Sequence, residues 1–345
     1  MASTAQSAPA TGATNPSESD IYDRQIRLWG AEAQSKMASA KVLYINMSGI
    51  SSEIMKNLIL AGIRGAIADG RPYPDAVSET PSSFLPPHER LAEKKESDEP
   101  EAKRQKKMSV AKAMQPHVLE LNPLLEECEI NEEEIDSIPD EYFSKFDIVI
   151  ASKMSLEQAI RISNATTKAD GKFYFVHSFG FYACALIDLG VNHTFRKETG
   201  KDKLSDVMTI SPYLSLDDMT KKDLSEVKDR WHKSGPPMIY TKYRTILNFL
   251  EQKKAYPTEE TANEFVTLTK DFLKSQGLEE GYIGSDDDLK DLAKTANAEV
   301  SPVCAVIGGV IGNEVIKAIS GKGEPANNML LFDGTTGGCS VFTLK

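Results

Sequence analysis

VLYINMSGISSEIMKNLILAGI (42–63) is the stretch on which the fold turns. It begins inside KVLYIN (41–46), an apolar run of strand-forming composition. A polar turn follows. SSEIMKNLILAG then sets Ile54, Leu58 and Ala61 on one helical face. Gly62 reads as a helix stop, and GAIAD (65–69) as a second strand. Strand, turn, helix and strand in so short a span predict a right-handed parallel unit. In such units the first turn cradles phosphate, because backbone N–H groups and the helix dipole point at it. Glycines let the phosphate come close. Here the turn reads Asn46, Met47, Ser48, Gly49, Ile50, Ser51, with a single glycine. Asn46 can still turn, and Ser51 can cap the helix. Asp69 is either the acid that holds a ribose in these folds or a turn residue before Gly70. The residue types leave open a working phosphate loop and the shell of one.

The same alternation continues along the chain. YDRQIRLWGAEAQSKMASA has Ile26, Trp29 and Ala33 at helical spacing. A helix is predicted near 109–121, ending at Asn122-Pro123. FDIVIAS (146–152) reads as a third buried strand, SLEQAIRISNATT as a helix, and KFYFVHS (172–178) as a fourth strand. ACALIDLG (183–190) can continue the sheet. The predicted class is α/β: a doubly wound, mostly parallel, Rossmann-like sheet with a helical insertion.

The layout expected is a disordered Ala/Ser/Thr/Pro tail over 1–20, then an α/β domain over 21–195. Residues 86–107 form a charged flexible insertion in that domain, ending in the basic cluster KRQKK (103–107). That cluster reads as a solvated loop or as a nuclear-import signal. Residues 196–300 are polar and helical in pattern. The segment 301–345 completes the domain with an apolar helix, SPVCAVIGGVIGNEVIKAIS (301–320), and a hairpin from NMLLFDG and CSVFTL. Gly308, Gly309 and Gly312 in that helix are expected to admit another backbone closely.

Composition is that of a globular chain of 345 residues. The net charge of −11 argues against general binding to nucleic acid or a membrane surface. The tail lacks the basic and apolar regions of a signal peptide, and no apolar run is expected to reach the roughly 18 residues of a membrane span. Cys128, Cys184, Cys304 and Cys339 form no CxxC pair, which argues against a zinc site and for reduced thiols. His177 beside Ser178 lacks an evident acid and reads as a structural histidine rather than half of a nucleophile pair.

Five runs now stand together: YDRQIRLWG (22–30), KNLILAGI (56–63), LNP (121–123), PVCAVIGG (302–309) and NNMLLFDG (327–334). With them the chain resembles the enzymes that activate ubiquitin-like modifiers, and among these the non-catalytic halves of the heterodimers that activate SUMO. The resemblance covers most of the chain outside the tail, the charged insertion and parts of 196–300. It implies an adenylation fold paired with a related active one. The active partner would bind ATP and Mg²⁺, adenylate the C-terminus of SUMO and carry the catalytic cysteine.

The departures from the active halves agree with that division. Asn46 and Ser51 stand at two of their loop glycines, leaving the degenerate loop Asn46, Gly49, Ser51. Pro81-Ser82-Ser83 replaces their Asn-Arg-Gln run before Phe84-Leu85. Val110 falls where they keep a lysine, with Lys112 two residues on. ASKMS (151–155) offers no carboxylate for Mg²⁺, and no cysteine lies between Cys184 and Cys304 to form a thioester. The resemblance therefore implies no nucleotide or metal bound by this chain.

Arg24, in the YDRQ run, is the residue that the resemblance sends into the partner's ATP site, where a fixed planar cation would meet the phosphates in trans. From the residues alone Arg24 reads rather as a cation that caps or salt-bridges an N-terminal helix, and Arg27 is its nearest rival. Tyr22, Gln25, Arg27 and Trp29 are expected at the dimer seam. The implied partners are the large catalytic-cysteine subunit and SUMO, with no nucleic acid or membrane, and the expected location is the nucleus, with the cytoplasm also open. Two alternatives stay open: the inactive half for a Nedd-type modifier, and a self-sufficient homodimeric adenylyltransferase or dinucleotide enzyme.

Overall fold

The computed structural model describes residues 21–73, 108–200, 203–228 and 235–345. The tail 1–20, the charged stretch 86–107 with KRQKK, and Pro81 to Leu85 lie outside them.

The chain enters through α1 (Asp23–Trp29) and α2 (Ala31–Ser39). The helical spacing of 22–40 runs unbroken in the sequence, but Gly30 at φ 86° divides it. The βαβ unit read from 41–69 follows as β1 (Lys41–Ile45), α3 (Gly49–Leu60) and β2 (Arg64–Ala68). Next come α4 (Val110–Leu121), β3 (Glu129–Asn131) and a short α5 (Asp140–Phe143). The strand β3 has no counterpart in the sequence reading: it is three residues long, polar, and incompletely buried at the sheet edge. Then follow β4 (Ile148–Ala151), α6 (Leu156–Lys168), β5 (Lys172–Phe179) and β6 (Tyr182–Asp188).

The segment expected to be helical from 196 onward begins differently. Short strands β7 (Thr194–Phe195), β8 (Glu198–Gly200), β9 (Lys203–Leu204) and β10 (Met208–Thr209) pair as β7–β10 and β8–β9. Helices take over with α7 (Leu216–Lys221), α8 (Met238–Lys253), α9 (Ala262–Ser275) and α10 (Asp286–Thr295). The apolar helix α11 (Ser301–Ser320) and the hairpin β11 (Met329–Asp333) and β12 (Gly338–Phe342) end the described order.

One sheet organises these elements, in the order β12-β11-β6-β5-β4-β1-β2-β3. The five strands from β3 to β5 are parallel, and β6, β11 and β12 join in antiparallel pairings. Chain order reverses between β1 and β4, so a switch point opens beyond their carboxyl ends. Ile45 is level with both Ala68 and Ala151, which brings three strand ends to one rim.

Both faces of the sheet are covered, which is why its strands read as continuous apolar runs rather than alternating ones. Val42, Tyr44, Ile148 and Ile150 point to a core shared with α2, α3, α4 and α11. Leu43, Ile45, Val149, Phe173 and Phe175 point to the core under α5 to α10. The helices of the 196–300 segment thus form a second layer on the main sheet. The glycines of α11 divide in role. A Cβ at Gly308 would lie 2.5 Å from Glu53 Cβ, so this glycine lets α11 press onto the backbone of α3. Gly312 is in ordinary contact with Asn57, whereas Gly309 faces open space. By length and composition α11 could also span a bilayer, contrary to the expectation that no run is long enough. It lies on the body of the protein instead, with Cys304, Ile307, Ile311 and Val315 in the core.

Candidate functional site

Asn46 ends β1 at φ 54°, the left-handed conformation that an asparagine tolerates. Its amide donates to Lys153 O at 3.1 Å, and Ser152 Oγ donates to Asn46 O at 2.5 Å. The turns after β1 and β4 are thereby tied to each other across the switch point. Ser48, not Ser51, is the N-cap of α3. Its N–H donates to Ser51 Oγ at 2.7 Å, and Ser51 N–H returns a bond to Ser48 Oγ at 3.2 Å. This reciprocal box replaces a glycine turn with side-chain hydroxyls.

Most backbone donors of this turn have acceptors from the chain itself. Met47 N–H donates to Asp69 Oδ2 at 2.8 Å. Gly49 N–H donates to Glu299 Oε2 at 2.8 Å, and Ser178 Oγ donates to Glu299 Oε1 at 3.4 Å. Lys153 Nζ lies 3.8 Å from the same carboxylate, and both side chains are almost wholly buried. Arg71 closes the other side, donating to both oxygens of Asp69 and to Met47 O at 2.7–2.9 Å. Asp69 is fully buried and committed to this turn, which fits the turn reading rather than a ribose acceptor. The turn after β4 repeats the pattern: Leu156 N–H donates to Glu251 Oε1 at 2.6 Å. Three carboxylates, Asp69, Glu251 and Glu299, thus sit on N–H groups at the two turns that face the crevice.

His177, Ser178 and Cys304 in the crevice are held by contacts within the chain. His177 Nε2 bonds Ala296 O at 3.0 Å and its ring stacks on Tyr256 with centroids 5.3 Å apart. Burial pushes its pKa down to about 4. Ser178 lies toward Cys304 and Glu299, not toward the imidazole's bonded nitrogen. Burial raises the Cys304 thiol to about 12, so it is no nucleophile at neutral pH. Val110 is buried at the start of α4, and Lys112 is exposed. Beside the crevice a cleft of about 760 Å³ opens between α6 and the end of α8, lined by Lys153, Arg161, Lys254 and Tyr256 among others. Among the described residues there is no cluster of metal-ligating side chains.

The second candidate site is α1. Tyr22, expected at a seam with another subunit, is instead buried in its own chain at 3% exposure. Its phenol accepts from Asn122 Nδ2 at 2.7 Å, and the same amide group donates to Ile59 O at 2.8 Å. The YDRQ and LNP runs are therefore two halves of one anchor. Gly62, at φ 87°, lies directly under the Tyr22 ring, where a Cβ would come within 2.8 Å. Gln25 donates to Leu60 O at 3.4 Å. Trp29 packs partly buried against the core, and its carbonyl accepts from Lys322 Nζ at 2.6 Å. These contacts turn Tyr22, Gln25 and Trp29 inward.

Helical spacing then turns Arg24, Arg27 and Leu28 outward. Arg27 is held by Asp23, four residues back, at 2.9 Å. Arg24 is exposed and has no ion pair or hydrogen bond to any described residue. Leu28, which the sequence did not single out, is 71% exposed. On α11, Pro302, Ala305, Val306 and Gly309 form a further exposed apolar stripe, with Val306 at 49%.

The ThiF family model matches residues 99–345. The chain is also similar to SUMO-activating enzyme subunit 1 of Xenopus tropicalis, with 30% identity covering 92% of this chain and 93% of that one. The protein of the same name from Dictyostelium discoideum is 28% identical, covering 93% and 91%. That from Homo sapiens is 28% identical, covering 95% of each chain.

Proposed function

From the premise that the chain belongs to the ThiF family, we propose that it is the small, non-catalytic subunit of a heterodimeric SUMO-activating enzyme. The observation that carries this is coverage. Relatives named for SUMO activation as subunit 1 match nearly end to end in both directions. The same observation favours SUMO over a Nedd-type modifier.

The partner in this reading is the large subunit, which holds ATP, Mg²⁺ and the catalytic cysteine. SUMO and ATP give SUMO-adenylate and pyrophosphate there, and a thioester follows on the partner's cysteine. This chain contributes a docking surface and Arg24. Three features support the assignment of Arg24: exposure, the lack of a partner among the described residues, and a helix anchored by Tyr22, Gln25 and Trp29. A guanidinium so placed can answer phosphate charge without first leaving another acid. The carboxylates seated on the N–H groups of the two turns support a chain that takes no nucleotide of its own. The exposed stripe on α11 and Leu28 suit a subunit contact. A nuclear location belongs to the same proposal and rests on KRQKK, outside the described residues.

Co-expression with the candidate large subunit tests the reading. The expected result is a stable complex with SUMO-dependent ATP–pyrophosphate exchange that neither chain shows alone. Exchange by this chain alone, or failure to form the complex, would overturn it.

A further inference from the structure

We propose that Glu299 is a built-in occupant of the phosphate seat at the start of α3, and that this side chain, more than the missing glycines, excludes a nucleotide phosphate from this chain. The inference rests on the preceding reading, in which the chain takes no nucleotide itself.

The geometry is that of an anion site already filled. A helix N-terminus offers an N–H and a positive dipole end to an anion. Here the group it meets is the Glu299 carboxylate, 2.8 Å from Gly49 N. The usual companions of a bound phosphate are present around it. There is a buried ammonium, Lys153, at 5% exposure, and a hydroxyl donor, Ser178. Two such donors and a cation fit an oxyanion as well as they fit a carboxylate.

The one glycine kept in the turn fits the same account. A Cβ on Gly49 would lie 3.1 Å from both Glu299 Oε2 and Cys304 Sγ. Gly49 therefore serves the approach of Glu299, in the way a glycine elsewhere serves a pyrophosphate. The carboxylate is delivered from the far end of the chain, just before α11. Its backbone is fixed by the Gly180–Glu299 bridge and by Gly180 N–H donating to Ala298 O at 2.9 Å. An incoming phosphate would meet a fixed negative charge at hydrogen-bond distance from its own donor, and like charges in a buried site exclude each other.

The test is titration of the full chain with inorganic pyrophosphate by calorimetry. The natural chain should show no saturable binding. Glu299→Ala, checked for folding by its thermal transition, should gain at least about tenfold in pyrophosphate affinity. Glu299→Gln keeps the side-chain shape and an acceptor for Gly49, and should gain less. It keeps the experiment decisive if the alanine variant unfolds. Adding Lys153→Ala should abolish the gain. Folded Glu299 variants that bind no better than the natural chain would overturn the proposal, as would a gain that survives loss of Lys153. Saturable ATP binding by the natural chain would instead contradict the non-catalytic reading itself. The two failures are therefore distinct.

Discussion

The crevice beyond β1 and β4 and the helix α1 are both polar, and they treat charge in opposite ways. In the crevice, Met47 N–H and Gly49 N–H meet Asp69 and Glu299, while Arg71 and Lys153 answer those acids. On α1, the neighbouring Arg27 is paired with Asp23, but Arg24 has no counter-charge among the described residues. A charge satisfied inside the chain holds the fold; a charge left unsatisfied on an anchored helix is available to another molecule. In the proposed function, the frame of a nucleotide site and the group that serves a nucleotide lie in different parts of one chain.

The contrast predicts its largest effect at Arg24. Arg24→Ala in the reconstituted heterodimer should leave the complex intact and slow ATP–pyrophosphate exchange by roughly 10²-fold, the scale of one charge-stabilising donor. Arg27→Ala should change exchange little, because an exposed pair of this kind contributes about 0–1 kcal/mol. Equal losses from both would erase the distinction between the two arginines.

Next in size is the packing that holds the crevice frame. Gly308→Val forces side-chain atoms into Glu53 and the α3 backbone, and should cost about 1–3 kcal/mol in denaturant unfolding. Gly309→Val, at the exposed position, should cost much less. Asn122→Ala removes the donor shared by Tyr22 and Ile59, and should cost about 1–2 kcal/mol. It should also lower exchange by loosening α1, with Arg24 still present. Unchanged exchange in a measurably destabilised Asn122→Ala complex would show that the anchor does not position Arg24.

The smallest effect is acid sensitivity. Burial holds His177, and His193 buried in the turn between β6 and β7, down to about 4 in the folded chain, against roughly 6.5 when unfolded. The unfolded chain therefore gains these protons first as pH falls. Stability from this source is full above about 6.5 and is lost progressively toward pH 4. From pH 7.5 to 6 the loss should be about 1 kcal/mol per histidine. His177→Gln should flatten its share of that slope in pH-dependent unfolding.

The sheet was largely legible because its strands are buried on both faces and its helices show clear periodicity. VLYI, FDIVIAS and KFYFVHS are strands in the structure, and 41–68 forms the βαβ unit. What escaped was local or long-range. β3 is short and polar. Gly30 breaks a helix whose apolar spacing gives no sign of it. Tyr22 looked like an interface residue because an aromatic beside charged residues suits either setting, and only Asn122, far along the chain, shows which. Glu299 carried no signal: its bond to Gly49 spans 250 residues, and nothing in its neighbours marks an acid that will be buried.

Nucleotide stoichiometry brings these strands together. Equilibrium dialysis of the reconstituted heterodimer against labelled ATP, with SUMO absent, should count one nucleotide per pair of chains. Two per pair, with the second lost on mutation of the Asn46–Ser51 turn, would contradict the account.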